Sequence, residues 1–200
     1  MLRNNCKTVH LFICMLLFLS KGCIVPESNH VAPDFYLLTD LPLPDTQIVE
    51  DEKFTFYLRE IEMPKYLKDP RMVVRPTQHT IKFRESKRWG EPLQDGIARV
   101  VGLNIQNQFI HSQSSIFPNR RKEGLAWDIS ISFSVFEVIS ENIVVEAKWV
   151  AKKVGADSVT GSFSSKLPLD ASASEEKEVL AFNESLFDLS KKFIDSVLQR

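Results

Sequence analysis

Cysteine is scarce and poorly placed for cross-linking. Cys6, Cys14 and Cys23 all fall within the first 23 residues, so no disulfide can staple the rest of the chain. Glycine is scarce as well. Of 7 residues, Gly90, Gly96 and Gly102 are spaced too widely to cradle a phosphate, which excludes a glycine-rich nucleotide loop. Excess charge is missing: 25 basic against 26 acidic residues give −1, leaving no overall positive field for nucleic acid. The apolar run Leu11–Leu19 has nine residues, too few for a bilayer span of about 20. There is no Gly-x-Ser-x-Gly elbow. His30 in the tether, His79 in a turn and His111 in a loop have no second ligand type three or four residues away on a regular element, which argues against a metal site.

What remains is ordinary globular composition, 44% apolar and 26% charged over 200 residues, enough for one domain with its own core. The first segment stands apart. Arg3 and Lys7 precede Leu11–Leu19 as a basic region precedes the apolar core of a signal peptide. Ser20-Lys21-Gly22-Cys23 follows, and a small residue before cysteine at this place resembles the lipobox of bacterial lipoproteins. Lys21 departs from that pattern, which has a small uncharged residue there. In that class cleavage before the cysteine is coupled to acylation of its sulfur. Residues 1–22 are then a signal peptide, Cys23 the lipidated residue, and 23–33 a proline-containing tether. The competing reading is an ordinary secretory signal cut near Gly22, with Cys23 incidental. The mature chain keeps 22 basic residues against 26 acidic ones, a charge of about −4. An acidic body is not drawn to anionic headgroups, so membrane attachment falls to the acyl chains, at about 0.8 kcal/mol per buried methylene.

Along the mature chain, Asp34–Thr39 and Phe54–Ile61 read as strands, joined through Leu41–Pro44 and the acidic Glu50-Asp51-Glu52. Pro64–Pro70 is a proline-bracketed turn. Arg71–Arg75 and Thr80–Arg84 form a hairpin. Leu93, Ile97, Val100, Val101, Asn104, Ile105 and Gln108 recur three and four apart, predicting a helix over about 92–109 with Pro92 in its first turn. Gly96 and Gly102 inside it suit close helix–sheet approach. Ile129, Ile131, Phe133 and Val135 alternate with polar residues until the phase slips at Val135-Phe136, the mark of a bulge. Strands at 143–151 and 159–163 complete a meander. Ser172–Glu175 has capping-box spacing before a second helix with Val179, Phe182, Leu186, Leu189, Phe193 and Val197 on one stripe. Glu175, Glu176 and Glu178 open that helix, and Lys191, Lys192 and Arg200 close it. The expected fold is α+β: one domain over 34–200, an antiparallel or mixed sheet with two main helices packed on it.

Two features invite a functional reading. Serines on strand 128–135 form either a hydroxyl-lined site or the wet side of a sheet. Arg88-Trp89-Gly90-Glu91-Pro92-Leu93 places a Trp between charges just before a helix. Trp89 is either a partner-binding anchor or a core aromatic at the sheet–helix corner, with Arg88 and Glu91 paired locally. Tyr66, in the preceding proline turn, belongs with this group.

These segments carry a resemblance. Met63-Pro-Lys-Tyr-Leu-Lys-Asp-Pro-Arg-Met-Val-Val-Arg75, Ile81-Lys-Phe83 and Arg88–Val100 resemble the PqiC family of ABC-type transport auxiliary lipoproteins, in order and at similar spacing. Phe136 and Glu146–Trp149 look similar too, while Arg59-Glu60 departs from a stretch that is commonly smaller. The resemblance spans roughly 34–200 and is most specific over 63–100. It implies a non-catalytic lipoprotein of the outer membrane facing the periplasm, without cofactor or metal. Its partner would be an MCE-domain protein that forms a tube across the periplasm in an intermembrane lipid-transport system, and the protein itself would be a ring-forming homo-oligomer. Ile24 after Cys23, where an aspartate would favour inner-membrane retention, fits outer-membrane sorting. The alternative is an outer-membrane lipoprotein that regulates a cell-wall synthase, since small α+β domains serve both roles.

Overall fold

The computed structural model describes residues 31–42, 49–153, 155–170 and 172–199. The signal segment, Cys23 and most of the tether lie outside the described residues. Among these residues, eight strands form one open mixed sheet: β1 (Asp34–Tyr36), β2 (Val49–Leu58), β3 (Arg71–Thr77), β4 (Thr80–Trp89), β5 (Phe109–Ile116), β6 (Trp127–Ile139), β7 (Asn142–Lys153) and β8 (Val159–Pro168). Two helices, α1 (Leu93–Asn107) and α2 (Glu175–Leu198), pack on it. The α+β class and the two-helix arrangement expected from the periodicities are those observed.

The 13-residue strand β6 organises the sheet. Along one side it pairs antiparallel with β7, which pairs antiparallel with β8. Its other side is divided. Trp127–Ile129 pair parallel with the end of β2, and Val138 and Ile139 pair parallel with Val74 and Arg75 of β3. Glu62 bridges to Ser132 between these two contacts. One side of β6 thus carries two wings, β2–β5 and β3–β4–β1.

Alternation explains which face is dry. Ile129, Ile131 and Phe133 of β6, Ile143, Val145, Ala147 and Trp149 of β7, and Val159 and Phe163 of β8 are buried under the helices. Ser132, Ser134, Lys148, Lys152, Ser162 and Ser164 face outward and are exposed. The serine face is therefore the wet side of the sheet. The register slips between Phe133 and Val135, where the phase change predicts a bulge, and Phe136 returns to the core. Ser140 and Glu141 take φ of 45° and 63°, as a tight two-residue hairpin turn requires.

The predicted stripe on α1, including Asn104 and Gln108, is buried, and so is the whole predicted stripe on α2. Burying each large apolar side chain contributes about 1.5–3 kcal/mol, so these faces hold the layers together. Gly102 serves close approach: a Cβ there would overlap Cδ1 of Ile116 on β5. Gly161 does the same on β8, because the indole of Trp149 lies across it.

Four local expectations change. Glu50-Asp51-Glu52 belong to β2 and not to a connection, and that strand ends at Leu58, short of Ile61. Strand β5 replaces the expected loop around His111; its parallel pairing with β2 gives it partners that its polar sequence does not announce. The cap of α2 is Ser174 and not Ser172, its hydroxyl accepting from the Lys177 amide. Lys191 and Lys192 lie more than a turn before the end of α2, whose last turn has no basic residue. As expected of a core aromatic just before a helix, Trp89 is the last residue of β4 and is buried.

Candidate functional site

The sequence motifs converge on one corner of the sheet. Pro64 opens a 3-10 turn over Lys65–Lys68, with the Leu67 amide donating to the Pro64 carbonyl at 3.0 Å. Leu67 is buried, and Tyr66 beside it is half-buried, packed against the edge of the core. Pro70 ends the turn, because a residue before proline is held extended, and Asp69 has φ −67° and ψ 139°. The Asp69 carboxylate accepts from the Arg71 amide, Nε and Nη2, each at 2.9 Å. Arg71 also donates to Glu85 at 2.6 Å and lies over the Phe83 ring at 4.5 Å. Hydrogen bonds from the guanidinium and amide of Arg71 hold the Asp69 carboxyl down at about 2, from an ordinary 3.8.

On the outer face, Tyr66, Arg75 and Glu137 form a closed group. Arg75 Nη2 donates to Glu137 Oε1 at 2.5 Å and to the Tyr66 hydroxyl at 2.9 Å, and that hydroxyl donates to Glu137 Oε1 at 2.9 Å. The Glu137 side chain is fully buried while Arg75 keeps 26% of its side chain exposed. Burial first, then the hydrogen bond and charge of Glu137, pushes the Tyr66 phenol above its usual range, and Arg75 offsets part of this. Glu137 Oε2 and Arg75 Nε are buried and have no protein partner among the described residues. Sequence reasoning missed Arg75 and Glu137. Their signal is faint: an acid on β6 just past the bulge, where the pleat has changed phase.

Trp89 lies inside the corner. Its indole is 7% exposed and meets Phe182 edge-on at 6.0 Å. Phe182 stacks on Phe136 at 4.3 Å, and Phe136 meets Phe133 edge-on at 5.8 Å. This column ties β4 to β6 through α2. The Trp89 amide donates to the Pro70 carbonyl at 2.8 Å, locking the two motifs together. Its ring offers a partner almost no surface. Arg88 is half-buried opposite Arg71, and its Nε is buried with no partner among the described residues. Glu91 does not pair with Arg88. It accepts from Arg99 Nη2 at 2.5 Å, and Arg99 also donates to the Leu38 carbonyl at 2.8 Å. Gly96 leaves room for this carboxylate, since a Cβ there would come within 3.1 Å of Glu91 Oε1. A carboxylate at the start of α1 also suits the helix dipole. The cavity inside the corner, between Leu67, Trp89, Leu93 and Phe182, is about 10 Å³, room for one water at most.

Among the described residues, no three His, Cys, Asp or Glu side chains gather as a metal site would require. No described helix is long and apolar enough to cross a membrane. The motif residues build a rigid corner with charged groups at its rim and no void for a substrate.

A half-wet open sheet is backed by two helices, and its motif residues hold the shape of one corner. The chain belongs to the family of ABC-type transport auxiliary lipoprotein components, which it matches over residues 36–192. It is similar in fold to a crystal structure of an uncharacterized protein, with TM-score 0.67, 10% identity, and coverage of 84% of this chain and 99% of that one. It is also similar to a Xanthomonas campestris protein of the DUF330 family, with TM-score 0.60, 14% identity, and coverage of 84% and 95%. Among proteins of curated function, no sequence relative is found.

Proposed function

We propose that this protein is an outer-membrane lipoprotein, held by acylated Cys23 and facing the periplasm, that docks a partner and performs no chemistry of its own. The partner is an MCE-domain protein of an ABC-type intermembrane lipid-transport system, and the lipoprotein meets it as a homo-oligomeric ring. The family match over residues 36–192 carries this reading. The match begins 13 residues after Cys23, so the stretch before it serves as signal and tether. From Cys23 to Asp34 the tether spans at most roughly 40 Å, so the domain stays within a domain's width of the bilayer. Ile24 supports outer-membrane sorting. Residues Tyr66, Arg88, Trp89 and Glu91 act by fixing the shape of the docking domain.

The test is affinity purification of the full lipidated chain from detergent-solubilised membranes, with the captured proteins identified by mass spectrometry. Recovery of an MCE-domain protein in stoichiometric yield is expected. Recovery of a cell-wall synthase in its place, or of no partner, contradicts the proposal.

A further inference from the structure

The loop after β5 builds a polar groove that the motif corner does not use. Ser114, Ser115, Ile116, Asn119, Arg120 and Lys122 line an open depression of about 590 Å³. The turn that shapes it is held firmly. The Phe117 amide donates to the Leu58 carbonyl at 2.9 Å, the Asn119 amide to the Ile116 carbonyl at 3.0 Å, and the Ser115 hydroxyl to the Arg120 carbonyl at 2.7 Å. Arg121 is engaged elsewhere, donating to the Leu125 carbonyl at 2.7 Å. Arg120 and Lys122 are exposed and pair with no carboxylate among the described residues. No carboxylate lines the groove, although the mature body is acidic. Phe117, 40% exposed, follows Ile116 beside it.

The Arg120 guanidinium fork, the Lys122 ammonium, the Asn119 amide and the Ser114 hydroxyl around one depression are donors to a multi-oxygen anion. We propose that this groove binds a phosphate group, as a phosphodiester headgroup or as free phosphate. The site follows from its own chemistry and holds whether or not Cys23 is acylated.

The test uses the lipidated protein in uncharged detergent without phosphate buffer. Inorganic phosphate and glycerophosphoglycerol, a water-soluble phosphodiester headgroup, are titrated separately by calorimetry at low salt. Saturable binding of at least one is expected, and whichever binds tighter identifies the source. The double variant R120Q/K122Q is expected to weaken binding about tenfold or more, because two charge-assisted donors are lost. K166Q, a lysine on exposed β8 far along the chain, is expected to stay within about twofold. Binding of neither probe overturns the proposal. So does equal weakening by K166Q, which would reduce the effect to diffuse attraction.

Discussion

Arg75 and Glu137 meet at 2.5 Å where β3 and β6 run parallel for only two residue pairs. The ion pair therefore stands in for ladder hydrogen bonds at the narrowest joint of the sheet, and Tyr66 covers it.

The two members of that pair are not equivalent. Removing Arg75 leaves a fully buried carboxylate with only the Tyr66 hydroxyl, whereas Arg75 without Glu137 still reaches water through its exposed part. R75M is expected to cost about 3–5 kcal/mol, the range for orphaning a buried charge. E137Q, which keeps an acceptor, is expected to cost about 1–2 kcal/mol. Denaturant unfolding of both variants decides it, and equal costs would mean that Glu137 is not dry. Y66F leaves the pair standing. Because the Tyr66 phenol is raised in the folded state, its contribution is full below the unfolded-state pKa of about 10 and is lost as pH rises through the folded value. Y66F is accordingly expected to resist alkaline unfolding better than the parent, relative to its own stability at neutral pH.

Asp69 sets the acid side. A carboxyl held at about 2 when folded and near 3.8 when unfolded stabilises fully above the unfolded value, and that contribution fades as pH falls from about 4 to 2. D69N is expected to lose about 1–2 kcal/mol at pH 7 through the missing charge-assisted bonds to Arg71. Its acid limb is expected to be flatter than the parent's below pH 4. Thermal unfolding across pH 2–7 measures both effects.

Two glycines separate a yielding neighbour from an unyielding one. At Gly102 an added methyl meets the tip of Ile116, which can swing, and G102A is expected to cost about 1–2 kcal/mol. At Gly161 it meets the buried ring of Trp149, which is held edge-on against Phe193 at 6.1 Å. G161A is expected to cost about 3 kcal/mol in the parent and little in the W149L background, where the ring is gone. A double-mutant cycle in denaturant measures the coupling.

Trp89 tests what the motif is for. W89F keeps an aromatic against Phe182 and is expected to cost about 1–2 kcal/mol, while W89A opens a cavity and costs about 3–5 kcal/mol. Partner capture by W89F is expected to match the parent. If W89F stays fully folded but loses the partner, the indole acts as a contact.

The two helices and the meander were legible because each has one wet side: α1 and α2 show a 3.6-residue stripe, and β6 and β7 alternate. Strand β5 was not legible. Phe109-Ile-His-Ser-Gln-Ser-Ser-Ile116 lacks alternation, and only its parallel pairing with β2 makes it a strand. The divided edge of β6 is equally silent, since parallel partners are set by packing and not by local sequence. Trp89 was visible as a residue of interest, but its burial depends on Phe182, far along the chain. The Tyr66–Arg75–Glu137 group leaves only a faint trace because Glu137 lies beyond a bulge that moves it to the outer face.

The most direct test of the lipoprotein account is the intact mass of the native protein isolated from membranes. A chain that begins at Cys23 and carries a diacylglyceryl group on its sulfur is predicted, with C23S leaving the membrane fraction. A free thiol at Cys23, or a mature protein that fractionates with the soluble periplasm, would contradict it.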